Sequence, residues 1–219
     1  MNLPRTPAAV VFDMDGLIFD TERLQFRAAA AAAKSHGGDL PIDVFRELIG
    51  KPANTDYDIL QAHFGGAVDF EPFEASWRAN FLELVERDLD LKPGVVELLN
   101  LLDTLSLPRA IATSSQRSKA DHHLAKHGLT ERFDTVIAWG DYAQGKPAPD
   151  PYQAAARTLG VEPETCLALE DSHAGIRSAA AAGMMPIMVP DLVPANDEMH
   201  ALATHVVSDL HEVCGLLRA

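Results

Sequence analysis

An α/β protein is what the sequence predicts: a parallel sheet with helices on both faces, plus a small all-helical domain inserted near the start. Three features point to it. Apolar runs of strand length alternate with helical patterns, as in a parallel sheet covered on both sides. Acidic residues stand at the ends of two such runs, Asp13 and Asp15 in VVFDMDGLIFDTE and Glu170 and Asp171 after CLAL, where buried strands need a reason to carry carboxylates. From about Thr21 to Asp90, helical patterns follow one another with no convincing strand between them.

Taken in order, the expected strands are AAVVF at the start, RAIAT at 109–113, TVIAW at 135–139, CLALE at 166–170 and MPIMV at 185–189. The helices between them carry punctuation. In DPYQAAARTLG, Asp150 and Pro151 suit the N-cap and first helical positions and Gly160 the stop; Gly128 and Gly183 would end two others. TERLQFRAAAAAAKSHG and FEPFEASWRANFLELVERD read as helices of the inserted domain, assigned to 20–90, which leaves 1–19 and 91–219 as the catalytic core. An insertion just after the first acidic pair would hang over the carboxyl edge of the sheet, where a lid belongs. There is no internal repeat and no low-complexity tail.

Composition narrows the function classes. A chain of 219 residues, 47% apolar and 6% aromatic, can bury one full core with a modest second domain. Its 18 Lys and Arg against 32 Asp and Glu give a net charge of -14, which repels nucleic acid and anionic membranes. A small phosphorylated substrate remains compatible, provided that a metal or a Lys supplies local positive charge. Only Cys166 and Cys214 are cysteines, no signal-peptide pattern opens the sequence, and no apolar run can span a bilayer. The expectation is a cytoplasmic protein with reduced thiols, a monomer or weak dimer.

The candidate chemistry comes from four places. Asp13 and Asp15 lie on a turn that Gly16 can close tightly. Thr113, Ser114 and Ser115 follow the second strand and offer hydroxyls and amides to an anion. Lys146, in GKPAPDPY, supplies a fixed positive charge, and Glu170 with Asp171 completes a metal-binding set. Carboxylates gathered this way repel one another without a divalent cation, and all-oxygen ligation favours Mg²⁺. The set suits phosphoryl transfer, with Asp13 attacking phosphorus to form an aspartyl-phosphate and Asp15 as general acid and base. Each piece alone has a plainer reading. An Asp-x-Asp after an apolar run is usually a turn or cap, a lone Lys usually a solvated charge, and Ser114 and Ser115 are as well suited to capping a helix. Asp20 fits a hinge holder that bonds backbone amides. His122, His123 and His127 include a zinc-compatible i, i+4 pair, but a solvated helical face is the simpler expectation. Trp77 and Phe81 fit a buried helical stripe, and Met184, Met185 and Met188 fit core filler.

In order, FDMDGLIFDTE, the segment Thr113 to Ser115, GKPAPDPY and LEDSHAGIRSAAAAGM resemble the four motifs of the haloacid dehalogenase superfamily, in the branch with a helical cap after the first motif. The resemblance spans almost the whole chain. It implies a Rossmann-like core, Mg²⁺ held by Asp13, the main-chain carbonyl of Asp15 and Asp171, phosphate held by Thr113 and Lys146, and Glu170 supporting the metal shell. A second aspartate at Asp15 points to phosphatases and phosphomutases rather than dehalogenases. β-Phosphoglucomutase-like sequences carry a His where this chain has Gln25 and an Arg where it has Ala53, which weighs against a mutase. IGK at 49–51, ATSS at 112–115 and MVPD at 188–191 are similar to pseudouridine 5'-phosphatase-like and sugar-phosphate phosphatases. The implied substrate contacts are Gly50 and Lys51 on a cap loop, Gln25, Ser114 and Ser115. The expected activity is therefore a Mg²⁺-dependent phosphatase for a small phosphorylated metabolite, with a phosphomutase and a non-catalytic binding module as alternatives.

Overall fold

The computed structural model describes residues 2–49 and 53–218, and of residues 53–56 only the backbone. The chain divides into two compact units, one of Met1–Phe19 with Leu91–Ala219 and the other of Asp20–Asp90.

The first unit is built on six parallel strands: β1 (Ala9–Phe12), β2 (Arg109–Gln116), β3 (Thr135–Trp139), β4 (Cys166–Glu170), β5 (Met185–Met188) and β6 (His205–Val206). They lie in the order β3-β2-β1-β4-β5-β6, with helices on both faces. After β1 the chain adds strands outward on one side; β4 then starts again on the other side of β1. That reversal between β1 and β4 is the topological switch point, the place where open α/β sheets hold ligands at their carboxyl ends. Register does the rest. Phe12 lies opposite Ile111 on β2 and Leu169 on β4, and the Asp13 amide donates to the Leu169 carbonyl at 2.9 Å. Asp13 thus emerges beside Glu170, and Thr113 lies two residues past Ile111.

Small side chains make the core compact. Helix α7 (Asp150–Leu159) presents Ala154, Ala155, Ala156 and fully buried Tyr152 to a cluster that includes Ala9, Val11, Ala110, Ala112 and Ala168. Side chains this short let a helix sit close to the sheet at interior packing density. The start of α7 departs from the expectation. Pro149 takes the N-cap position, and the Asp150 carboxylate accepts from the Gln144 amide at 3.1 Å instead of capping the helix. Gly160 ends it in a left-handed conformation, φ 72°, as the pattern predicts. Helix α8 (His173–Ala181) has a true side-chain cap, Ser172, whose hydroxyl accepts from the Gly175 amide at 3.1 Å.

Among the described residues the second unit carries helices α1 (Thr21–Ser35), α2 (Ile42–Arg46), α3 (Ala53–Phe64) and α4 (Phe70–Asp88). Ala28, Ala29, Ala32 and Ala33 form the buried face of α1, which packs on α4. Phe45, Phe64, Phe73 and Trp77 pack ring against ring beside it. The Asp20 amide donates to the Asp90 carbonyl at 3.0 Å. Asp20 therefore joins the ends of this unit through its backbone, and its carboxylate pairs with Arg23 at 3.5 Å without capping α1.

One surface expectation fails. On helix α6 (Arg117–Lys126) His122 is exposed as expected, but His123 is 2% exposed and leaves the solvated face. Its ring stands edge-on to Phe19, with centroids 5.4 Å apart, and His127 approaches the same ring at 5.4 Å. Leu124 and Ala120 are buried on the same helix, so the apolar stripe carries His123 inward.

Candidate active site

Asp13, 8% exposed, follows β1 directly; Glu170, fully buried, ends β4; Asp171, 7% exposed, comes next. One carboxylate oxygen from each lies within 4.8 Å of the others. Lys146 reaches into this group from the loop before α7, its side chain 6% exposed. Its ammonium donates to Asp13 at 2.5 Å and to Glu170 at 2.6 Å. The same ammonium lies 5.0 Å from the centre of the Tyr152 ring.

Glu170 is fully engaged. One oxygen accepts from Lys146 and from the Tyr152 hydroxyl at 2.8 Å; the other accepts from the Ser172 amide at 3.1 Å and hydroxyl at 2.9 Å. Gly175 lets the carboxylate lie against the first turn of α8, because a Cβ there would overlap it. A carboxylate with four donors orients its neighbours; Asp13 and Asp171 are the better placed to hold a cation.

Burial dominates the electrostatics. It pushes the Asp13 carboxyl up to about 7, against the pull of Lys146 and with a further push from Glu170. Burial also opposes charge on Lys146, but Asp13 and Glu170 outweigh it and hold the ammonium above its ordinary range. Tyr152 is raised far above the usual phenol by burial and then by Glu170, so its hydroxyl keeps its proton and donates. Three buried carboxylates facing one ammonium leave excess negative charge in a poorly solvated place, which a divalent cation would offset. The donor set fits a hard cation: all oxygen, with a spread compatible with octahedral ligation at about 2.1 Å per bond.

Asp15 sits on the turn after Asp13, closed by Gly16 at φ 82°. One of its carboxylate oxygens accepts from Ser115 at 2.6 Å and the other from Lys119 at 2.9 Å. Thr113 is 1% exposed, and its hydroxyl oxygen accepts from the Ser115 amide at 3.0 Å. Its carbonyl accepts from the Tyr142 hydroxyl at 3.1 Å. Ser114 is exposed, and neither it nor Ser115 caps α6, whose N-cap is Gln116. The register of β2 against β3 shifts between Ala112 and Gln116, so Thr113, Ser114 and Ser115 lie in an irregular stretch of strand. Gln25 belongs to the helical unit. There it accepts from the Trp77 indole at 3.0 Å and lines a cavity of about 420 Å³ with Tyr57, Phe70, Trp77 and Phe81. Gly50 and Lys51 lie outside the described residues.

Lys119, Tyr152 and Gly175 were not singled out from the sequence. Tyr152 and Gly175 do lie within the quoted GKPAPDPY and LEDSHAGIRSAAAAGM motifs, whereas Lys119 has only its place four residues after Ser115 to mark it.

Residues 10–189 match the haloacid dehalogenase-like hydrolases, and the chain belongs to that family. Among its relatives is hexitol phosphatase B of Escherichia coli K12, 33% identical and matched over 97% of both chains. A Drosophila melanogaster protein named "Probable pseudouridine-5'-phosphatase" is 33% identical over 91% of this chain and 88% of its own. The crystal structure of a hydrolase of the same family from Deinococcus radiodurans, with phosphate and sodium bound, superposes with a TM-score of 0.81 at 26% identity, covering 95% of this chain and 94% of that one. With these relatives the chain is an enzyme of the phosphoric monoester hydrolase class. No helix among the described residues is long and apolar enough to cross a membrane.

Proposed function

We propose that the protein is a Mg²⁺-dependent phosphatase for a small phosphorylated metabolite, a sugar phosphate or nucleotide-like monophosphate, and that the helical unit acts as its cap. The convergence of Asp13, Lys146, Glu170 and Asp171 at the switch point supports this most directly. The relatives named for hexitol phosphates and pseudouridine 5'-phosphate support the substrate class. Asp13 attacks phosphorus, so that a bond forms from its carboxylate as the bond to the leaving oxygen breaks. Asp15 gives that oxygen a proton, then takes one from the water that attacks the aspartyl-phosphate, releasing inorganic phosphate and the Asp13 carboxylate. Lys146 and the Thr113 hydroxyl hold the phosphoryl oxygens, with Ser114 and Ser115 beside them. Glu170 and Tyr152 keep Lys146 aimed. Asp13, the Asp15 carbonyl and Asp171 would hold Mg²⁺, which when bound would neutralise charge on the transferred oxygens. Gln25, Gly50 and Lys51 are assigned to the leaving group.

Phosphate release should be measured over hexose and hexitol phosphates, nucleotides, pseudouridine 5'-phosphate and phosphoglycolate, with and without Mg²⁺. The proposal predicts Mg²⁺-dependent release for at least one of them, and loss of about a thousandfold or more in Asp13→Asn. Conversion of a sugar phosphate to its isomer with little free phosphate would identify a mutase instead. Mg²⁺-independent release, or activity retained in Asp13→Asn, would refute the mechanism.

A further inference from the structure

We propose that Lys119, with Ser115, is a positioning residue that fixes the orientation of the Asp15 carboxylate for proton transfer to the leaving oxygen. This rests on the reading of Asp15 as general acid and base given above. The backbone beneath Asp15 is already fixed. The Ile18 and Phe19 amides donate to the Met14 carbonyl at 3.0 and 3.1 Å, the Gly16 amide donates to the Phe19 carbonyl at 2.9 Å, and Asp15 pairs with Phe19. What remains free is the rotation of a short side chain about its two torsions, and a misdirected acid loses much of its value.

Ser115 and Lys119 remove that freedom. Ser115 donates to one Asp15 oxygen at 2.6 Å, Lys119 donates to the other at 2.9 Å, and the Lys119 ammonium lies 3.1 Å from the Ser115 hydroxyl, closing a triangle. The partners stand 100 and 104 residues from Asp15 in sequence. Ser115 belongs to the last turnless residues of β2 and Lys119 to the first turn of α6, so the junction of strand and helix delivers both. The Asp15 and Lys119 side chains are 20% and 32% exposed, more enclosed than an ordinary surface ion pair.

The chemistry supplies a test that a merely structural role would not pass. A sugar alkoxide leaves only if it is protonated as the bond to phosphorus breaks, whereas p-nitrophenolate leaves as a stable anion. Single-turnover rates should be compared in wild type, Lys119→Met and Lys119→Arg, with Mg²⁺, using p-nitrophenyl phosphate and the sugar phosphate that the wild type cleaves fastest. In Lys119→Met, cleavage of the sugar phosphate should slow by about 10-fold to 100-fold. The first-turnover burst of p-nitrophenol and the KM for the sugar phosphate should change by about twofold or less, and Lys119→Arg should recover most of the loss. Equal loss on both substrates, loss on neither, or a raised KM with unchanged kcat would overturn the proposal. If thermal unfolding shows that Lys119→Met does not fold, Lys119→Ala, which also removes the donor, carries the same comparison against p-nitrophenyl phosphate. A wild type that cleaves neither substrate would instead refute the phosphatase reading.

Discussion

Glu170 has little freedom left. Lys146, the Tyr152 hydroxyl and both donors of Ser172 occupy its two oxygens, and Gly175 closes the space behind it. An added methyl at Gly175 would have to move either a buried carboxylate or the first turn of α8. Gly175→Ala should therefore lower stability by about 1 to 3 kcal/mol, as overpacking does. It should also lower kcat by roughly 100-fold, because Lys146 loses one of the two carboxylates that aim it. Chemical denaturation and steady-state rates on the same preparation check both, and a wild-type kcat in Gly175→Ala would show that Glu170 does not orient the site. Residues of the acidic set were legible in the sequence because each breaks an apolar run at its end. Lys119 was not, since nothing within its own segment separates it from a solvated lysine; only the contact with Asp15 across the fold does so.

At the scale of elements, α6 carries a histidine where its apolar stripe faces inward. Burial pulls His123 down from 6.5 to about 4; Asp15 raises it, and Lys119, His122 and His127 lower it further. Below pH 6.5 the unfolded chain binds a proton that the folded chain refuses until about pH 4. The contribution of His123 to stability therefore falls as pH drops through that window. Between pH 7 and pH 5 the loss is roughly 2 kcal/mol. Denaturation midpoints at the two pH values should converge in His123→Leu relative to wild type, and an unchanged difference would mean that His123 is not buried neutral. Strands β1 to β5 were readable because continuous apolar runs mark strands buried on both faces. β6 was not readable, since two half-buried residues, His205 and Val206, carry no period. The short α2 was missed for the same reason, whereas α1 and α4 are long enough for helical spacing to show.

For the whole molecule, sheet order explains why acidic residues more than 150 positions apart in sequence end side by side. β1 and β4 are neighbours across the switch point, with Phe12 opposite Leu169, so whatever follows each strand meets at one edge. The parallel class was legible from the alternation of runs; the strand order was not, because apolar runs record burial and leave neighbours unspecified. Asp13 is the group proposed to take the phosphoryl. Enzyme mixed with its best sugar phosphate and Mg²⁺, quenched within one turnover and reduced with borohydride, converts an aspartyl-phosphate to homoserine, which peptide mass spectrometry locates. Homoserine is expected at position 13, and none in Asp13→Asn; turnover with no modification at that position, or with modification elsewhere, would rule out Asp13 as the nucleophile.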